Sequence, residues 1–277
     1  TDIINMQAGV VGGHFRGGRS TEVTYLIDGI KVDEGFSSEG QAVSLEPEAV
    51  SEIEVIIGTF NAEYGKAMSG VVNQITKSGT NRFEGSTNFS YANYLSSNSH
   101  IFPGINQLVL NNNQYYKFQL GGPIIRDRLF FFINYKTGTY NNHLNGFNYF
   151  SPSDQSDYSS DNSENWVSEH SGDSSLVAMN TSKNSSIMGK LKFIVTDKWR
   201  TSFLFTNNTG SWHPYSHAFR YNPNGVAHST SQTLFYAIQS NYMLSNSIFF
   251  DIKYSNLKYS NGYFVYEDPT DPQYVND

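Results

Sequence analysis

The chain has 277 residues, of which 18 are Lys or Arg and 25 are Asp or Glu, for a formal net charge of −7. That acidic balance argues against a nucleic-acid partner, because a phosphate-binding surface needs basic excess. Cys is absent, which removes disulfides and thiolate metal sites, and no run approaches the ~20 apolar residues of a membrane helix, so any spanning structure must be built from strands.

The N-terminus, Thr1-Asp-Ile-Ile-Asn-Met6, has neither a basic segment nor an apolar signal core and reads as a chain that begins mid-protein. Residues 1–80 read as a small α+β unit. Val23 to Ile27, Ile53 to Ile57 and Val71 to Thr76 are short β-like runs separated by Gly turns. Pro47-Glu-Ala-Val-Ser51 allows one helical turn, with proline in the first-turn position where its missing N–H costs little. After Gly79-Thr-Asn-Arg82 the style changes to longer alternating strands, which places a domain boundary there and a second unit at 81–277.

In these strands successive side chains face opposite sides. Phe83, Gly85, Thr87, Phe89 and Tyr91 share one face, and Glu84, Ser86, Asn88 and Ser90 the other. Phe131, Ile133 and Tyr135 oppose Phe132, Asn134 and Lys136; Leu191, Phe193 and Val195 oppose Lys190 and Lys192; Ile252 and Tyr254 oppose Asp251 and Lys253. One face is apolar and the other polar, which also fits a soluble sandwich. The connections decide between them. They alternate long (about 95–113, 141–183, 208–230) and short (122–128, 196–198, 244–246), as tight periplasmic turns and long extracellular loops would. Seven strands are expected, starting near 83, 114, 129, 184, 199, 231 and 247, with Trp199 and Tyr242 as interface aromatics near short turns. Bacterial single-chain barrels have even strand numbers, so seven strands read as part of a larger barrel, with the tail from Tyr266 to Asp277 outside in a loop.

Several motifs stand in order: Arg16-Gly17, Ile27-Asp28-Gly29, Ile53-Glu54-Val55, Tyr64-Gly65, Gly70-Val71-Val72-Asn73 and Thr76-Lys77. Together they resemble the plug domain of TonB-dependent outer-membrane receptors. Asn61-Ala-Glu-Tyr-Gly65 and Gly121-Gly-Pro-Ile-Ile-Arg-Asp-Arg-Leu-Phe-Phe-Phe132 are similar to the Oar-like branch of that family. The resemblance implies a membrane β-barrel, antiparallel and partial, with an N-terminal α+β plug. It also implies an outer-membrane location and a transport role: loops and plug apex catch a substrate, and TonB pulls on the plug. Its partners would be the TonB energy-coupling complex through an N-terminal segment outside this sequence, outer-membrane lipid, and an extracellular substrate of unspecified identity, with a surface lipoprotein as a further candidate.

A plug must seal yet release, which suits charged pairs across a hydrated wall rather than a continuous apolar core. Arg16, Arg19, Glu54, Glu63 and Arg82 are the expected lock; the plainer reading is solvated or local ion pairs of about 0–1 kcal/mol each. By family analogy Asp33, Glu34 and Phe36 would reach the plug apex. Trp166, His170, Trp212, His213 and Tyr215 offer flat surfaces for sugars, peptides or chelates, and equally serve as loop packing. Asp154, Asp157, Asp161, Glu164, Glu169 and Asp173 gather in a Ser-rich loop, but their spacing matches no EF-hand and favours solvated charge. Nothing points to an enzyme or a cofactor: there is no Gly-x-Gly, Gly-x-Ser-x-Gly, phosphate-loop or His-Glu-x-x-His spacing. Two alternatives stay open, a structural or partner-binding outer-membrane barrel and a secreted β-sandwich adhesin.

Overall fold

Two sheets of opposite chemistry organise the chain. A computed structural model describes residues 10–11, 14–15, 18–19, 22–32, 42–57, 69–109, 112–272 and 274. The expected lock residues Arg16 and Glu63 and the expected apex residues Asp33, Glu34 and Phe36 lie outside the described residues.

Val10–Val11 (β1) and His14–Phe15 (β2) form a small antiparallel ladder. Val23–Ile27 (β3), Ile30–Lys31 (β4), Val50–Ile56 (β5) and Gly70–Thr76 (β6) form a four-stranded sheet in the order β4-β3-β6-β5, with β3 and β6 parallel. The β3–β4 hairpin turns on Asp28 and Gly29, both in the left-handed region (φ 50° and 73°), the Asp-Gly chemistry of a two-residue turn. The helical turn expected near Pro47 is present as a 3-10 turn, Pro47–Ala49, with proline in its first turn.

The linker then packs against the backbone of the second sheet at Gly122 and Phe131. A Cβ on Gly79 would lie 2.2 Å from the Phe131 carbonyl oxygen, so only glycine passes there. Asn81 fixes the linker by exchanging two hydrogen bonds with Asp127 in the first short turn.

Glu84–Ala92 (β7), Asn113–Ile125 (β8) and Leu129–Tyr140 (β9) open the second sheet. Within the following long connection, Leu144–Phe147 (β10) pairs with Leu176–Met179 (β13), and Ser156–Asp157 (β11) with Val167–Ser168 (β12). Thr181–Thr196 (β14), Trp199–His213 (β15), His228–Ser245 (β16) and Ile248–Phe264 (β17) complete a seven-stranded antiparallel sheet, β17-β16-β15-β14-β9-β8-β7. Each of the seven strands begins within three residues of its expected start.

Residues on one face of this sheet pack on the four-stranded sheet; the opposite face carries the exposed apolar residues. Phe118, Ile133, Tyr135, Leu191, Phe203 and Ile252 are all exposed, whereas Phe132, Met188, Leu204 and Phe235 are buried on the inner face. Trp199 and Tyr242 meet edge-on at 6.3 Å on the outer face beside a short turn. The tail from Val265 follows β17 on the side of the long connections, closed by hydrogen bonds between Tyr266 and Tyr274.

Asparagine knits that side together. Asn142 and Asn180 both take left-handed backbone, which asparagine tolerates. Asn112 donates to the Asn142 carbonyl, Asn142 to the Asn180 carbonyl, and Asn145 to Pro103, joining the first two long connections.

Candidate functional site

The inner face of the large sheet departs from the polar wall expected from alternation. Phe132, Met188, Leu204, Phe235 and Ala237 form one buried cluster with Ile27, Ile30, Val32, Val43 and Ala49 of the small sheet and its loops. The contact is therefore an apolar seal with charged pairs beside it, because a dry patch excludes water from the junction more completely than ion pairs can. Asn134 and Thr206, also buried on this face, have side-chain polar atoms without a hydrogen-bond partner among the described residues. Separating the sheets would rehydrate them, which offsets part of the cost of opening.

Three lysines on three adjacent strands flank the seal. Lys190 of β14 pairs with Asp28 at 2.9 Å, with side chains 10% and 13% exposed. The same carboxylate accepts the Thr76 backbone N–H at 2.9 Å and the Thr76 hydroxyl at 2.7 Å, and Lys190 also reaches that hydroxyl at 2.7 Å. The Asp-Gly turn and the end of β6 are thus held to the wall by one ammonium. Lys136 of β9 pairs with Glu46 at 2.9 Å, and Lys117 of β8 with Glu48. Lys117 and Lys136 stand directly opposite each other, an arrangement that repels unless neutralised. The two glutamates either side of Pro47 neutralise it, and the Tyr115 ring lies within 6.0 Å of both ammonium groups. The Lys117 ammonium holds the Glu48 carboxyl below its usual range. Further contacts come from Asn208, donating to the Ser44 carbonyl at 2.8 Å, and Lys253, reaching the Gly29 carbonyl at 3.5 Å.

Among the described residues, no ion pair joins Arg19, Glu54 or Arg82 to the large sheet. The Arg19 backbone N–H is bound by Glu22. Glu54 accepts from the Asn73 side-chain amide, whose oxygen in turn accepts the Gly29 N–H, so Glu54 braces the Asp-Gly turn from behind. Arg82 makes backbone contacts with Thr80 in the exposed linker. The pairing residues Asp28, Glu46, Glu48, Lys117, Lys136 and Lys190 were missed as a set. Their one sequence signal is a lysine at inner-face parity in successive strands.

The expected substrate-facing residues are dispersed. Trp166 lies in the outer loop, donating to the Ser160 carbonyl at 2.8 Å and packing edge-on against Tyr158. His170 stacks on Tyr149 at 4.9 Å. Trp212 falls on the inner face, four residues beyond Asn208, and is half exposed. His213, one residue on, turns to the opposite face against His228, and the Tyr215 hydroxyl bonds His217 at 2.8 Å. The loop carboxylates fold their own turns: Asp154 binds Ser151 and Ser171, and Asp173 accepts from Ser175 and Asn148, which lowers its pKa to about 2. Among the described residues, no three His, Asp or Glu side chains gather where they would hold a metal.

Comparisons with known proteins agree with this arrangement. The TonB-dependent receptor plug domain model matches residues 6–72, and an outer membrane β-barrel domain model matches residues 75–172. The TonB-dependent transporter Oar of Myxococcus xanthus is 27% identical over 208 residues, which cover 70% of this chain and 19% of that protein. Among solved structures, the siderophore receptor PirA from Pseudomonas aeruginosa superposes with a TM-score of 0.56 at 20% identity, over 94% of this chain and 37% of that one. The outer membrane transporter YddB from Escherichia coli gives 0.54 at 11% identity, over 84% and 30%. The chain thus spans about a fifth of its curated relative and about a third of these structures. These relatives are transporters and receptors rather than enzymes. With a matched plug packed on the inner face of seven strands whose apolar residues point outward, the chain carries a TonB-dependent receptor plug domain followed by strands of an outer membrane β-barrel.

Proposed function

We propose that this protein imports a large or scarce solute across the outer membrane by displacement of its plug, which we assign to residues 1–80, from a barrel that begins at residue 81. No bond chemistry is needed, and no catalytic role is assigned to any residue. The observation that carries the reading is the triple lysine clasp, Lys117, Lys136 and Lys190, against Glu48, Glu46 and Asp28. Ion pairs suit a joint that must break under a pull, because each is lost over a short displacement and water replaces it on both partners. TonB, acting from the periplasm, supplies the pull.

The test uses the intact receptor in its native membrane. Lys190→Ala leaves Asp28 buried without its cation, a loss of about 3–5 kcal/mol. The variant should raise sensitivity to large antibiotics, and Asp28→Asn with Lys190→Met should restore the seal. Uptake should also cease in cells lacking TonB. Normal uptake without TonB would replace import by a structural or partner-binding barrel.

A further inference from the structure

Beyond the clasp, the inner wall changes character. The registers align Ser182, Trp212, Ser229 and Tyr263 across β14 to β17, and directly beneath them Asn184, Gly210, Ser231 and Asn261. A third row, Ser186, Asn208, Thr233 and Tyr259, brings the wall down to the plug. None of these twelve positions carries a charge. Trp212 and Tyr263 are 50% and 71% exposed and stand two strands apart, roughly 10 Å on ordinary strand spacing. Between them Gly210 opens a recess of about 570 Å³, since a Cβ there would close to 3.0 Å from the Ser231 hydroxyl and 3.3 Å from the Asn184 amide oxygen. The side-chain amides of Asn184 and Asn261 have no hydrogen-bond partner among the described residues. The recess shares Asn184, Gly210 and Ser231 with a gap floored by Ser44 and Glu46 of the plug. Glu46 is neutralised there by Lys136.

From this we infer that the wall between Trp212 and Tyr263 is a binding site for a neutral oligosaccharide. The inference rests on the import reading and names its substrate class. Exposed aromatic rings stack on the C–H faces of sugar rings, and flanking hydroxyls and amides match sugar hydroxyls. An anionic chelate would lose its hydration at these twelve positions without meeting a cation among them. A peptide would present a charged or amide backbone that stacks less well on two separated rings. The shared lining with the Glu46 gap places the reducing or non-reducing end of the chain over the plug.

The test is calorimetric titration of receptor purified from its native outer membrane with short neutral oligomers of glucose, mannose and xylose. A charged peptide and a ferric catecholate chelate are titrated alongside. At least one oligomer should bind, Trp212→Ala should weaken it about tenfold or more, and Gly210→Val should abolish it. Trp199→Ala, on the lipid face, should leave binding unchanged, and heat-modifiable gel mobility checks that each variant is folded. Failure of every oligomer to bind, or binding that survives both inner-face substitutions, overturns the inference. Uptake of the peptide or chelate that needs TonB but ignores Trp212→Ala removes the sugar site and keeps import. Oligosaccharide binding with TonB-independent uptake keeps the site and removes import.

Discussion

The two sheets read alike in sequence and bury their apolar residues in opposite directions. In the small sheet Ile27 and Val72 are 0% exposed, packed as in any protein core. In the large sheet Ile133 and Ile252, of the same residue type, are 37% and 64% exposed. The difference lies in what covers each face: protein on one, hydrocarbon on the other. An isoleucine facing lipid gains the same freedom from water as one in a core, so alternation alone does not say which solvent is meant.

Breaking the buried side should have the larger effect. Phe235→Ala removes the wall's most enclosed ring from the cluster around Ile27 and should cost about 3–5 kcal/mol. Hydrogen exchange should show the loss at residues 23–32 and 42–57, with the strands β14 to β17 still protected. On the lipid side, Ile133→Arg should cost about 2–4 kcal/mol near the membrane midplane. Its readout is loss of the heat-modifiable folded band, and Ile133→Leu should be silent. If Ile133→Arg were tolerated as readily as a luminal change, the outer face would not be in lipid.

Where the two sheets are joined, Gly79→Ala forces the linker away from Phe131 and should cost about 1–3 kcal/mol, seen as faster proteolysis at residues 77–82. The smallest effect is on pH. Glu48 has a folded pKa below its ordinary 4.5, so it contributes stability that is fully present above that value and is lost as pH falls through the folded one. Plug retention should therefore be flat from pH 7 to pH 5 and weaken below about pH 4.5, and Glu48→Gln should remove that acid-side dependence while lowering retention at pH 7.

Much of the lipid-facing architecture was legible residue by residue. Ile252 beside Lys253, and Phe193 beside Lys192, announce their faces through a period of two that no distant contact can alter. The long and short connections orient the strands for the same local reason. Phe132, Leu204 and Phe235 were harder, because an apolar residue on a polar face looks like noise until its partner is known. The clasp was not legible. Asp28 and Lys190 are 162 positions apart, and Glu46 and Lys136 are 90.

By itself, then, the sequence determined seven alternating strands and the face each side chain takes, both of which depend on neighbours within a few residues. Tertiary structure alone decided which lysine meets which carboxylate, that the plug seals against Phe132, Met188, Leu204 and Phe235, and that Trp212 and Tyr263 share one recess. Charge and shape complementarity act across space between segments that carry no local trace of each other.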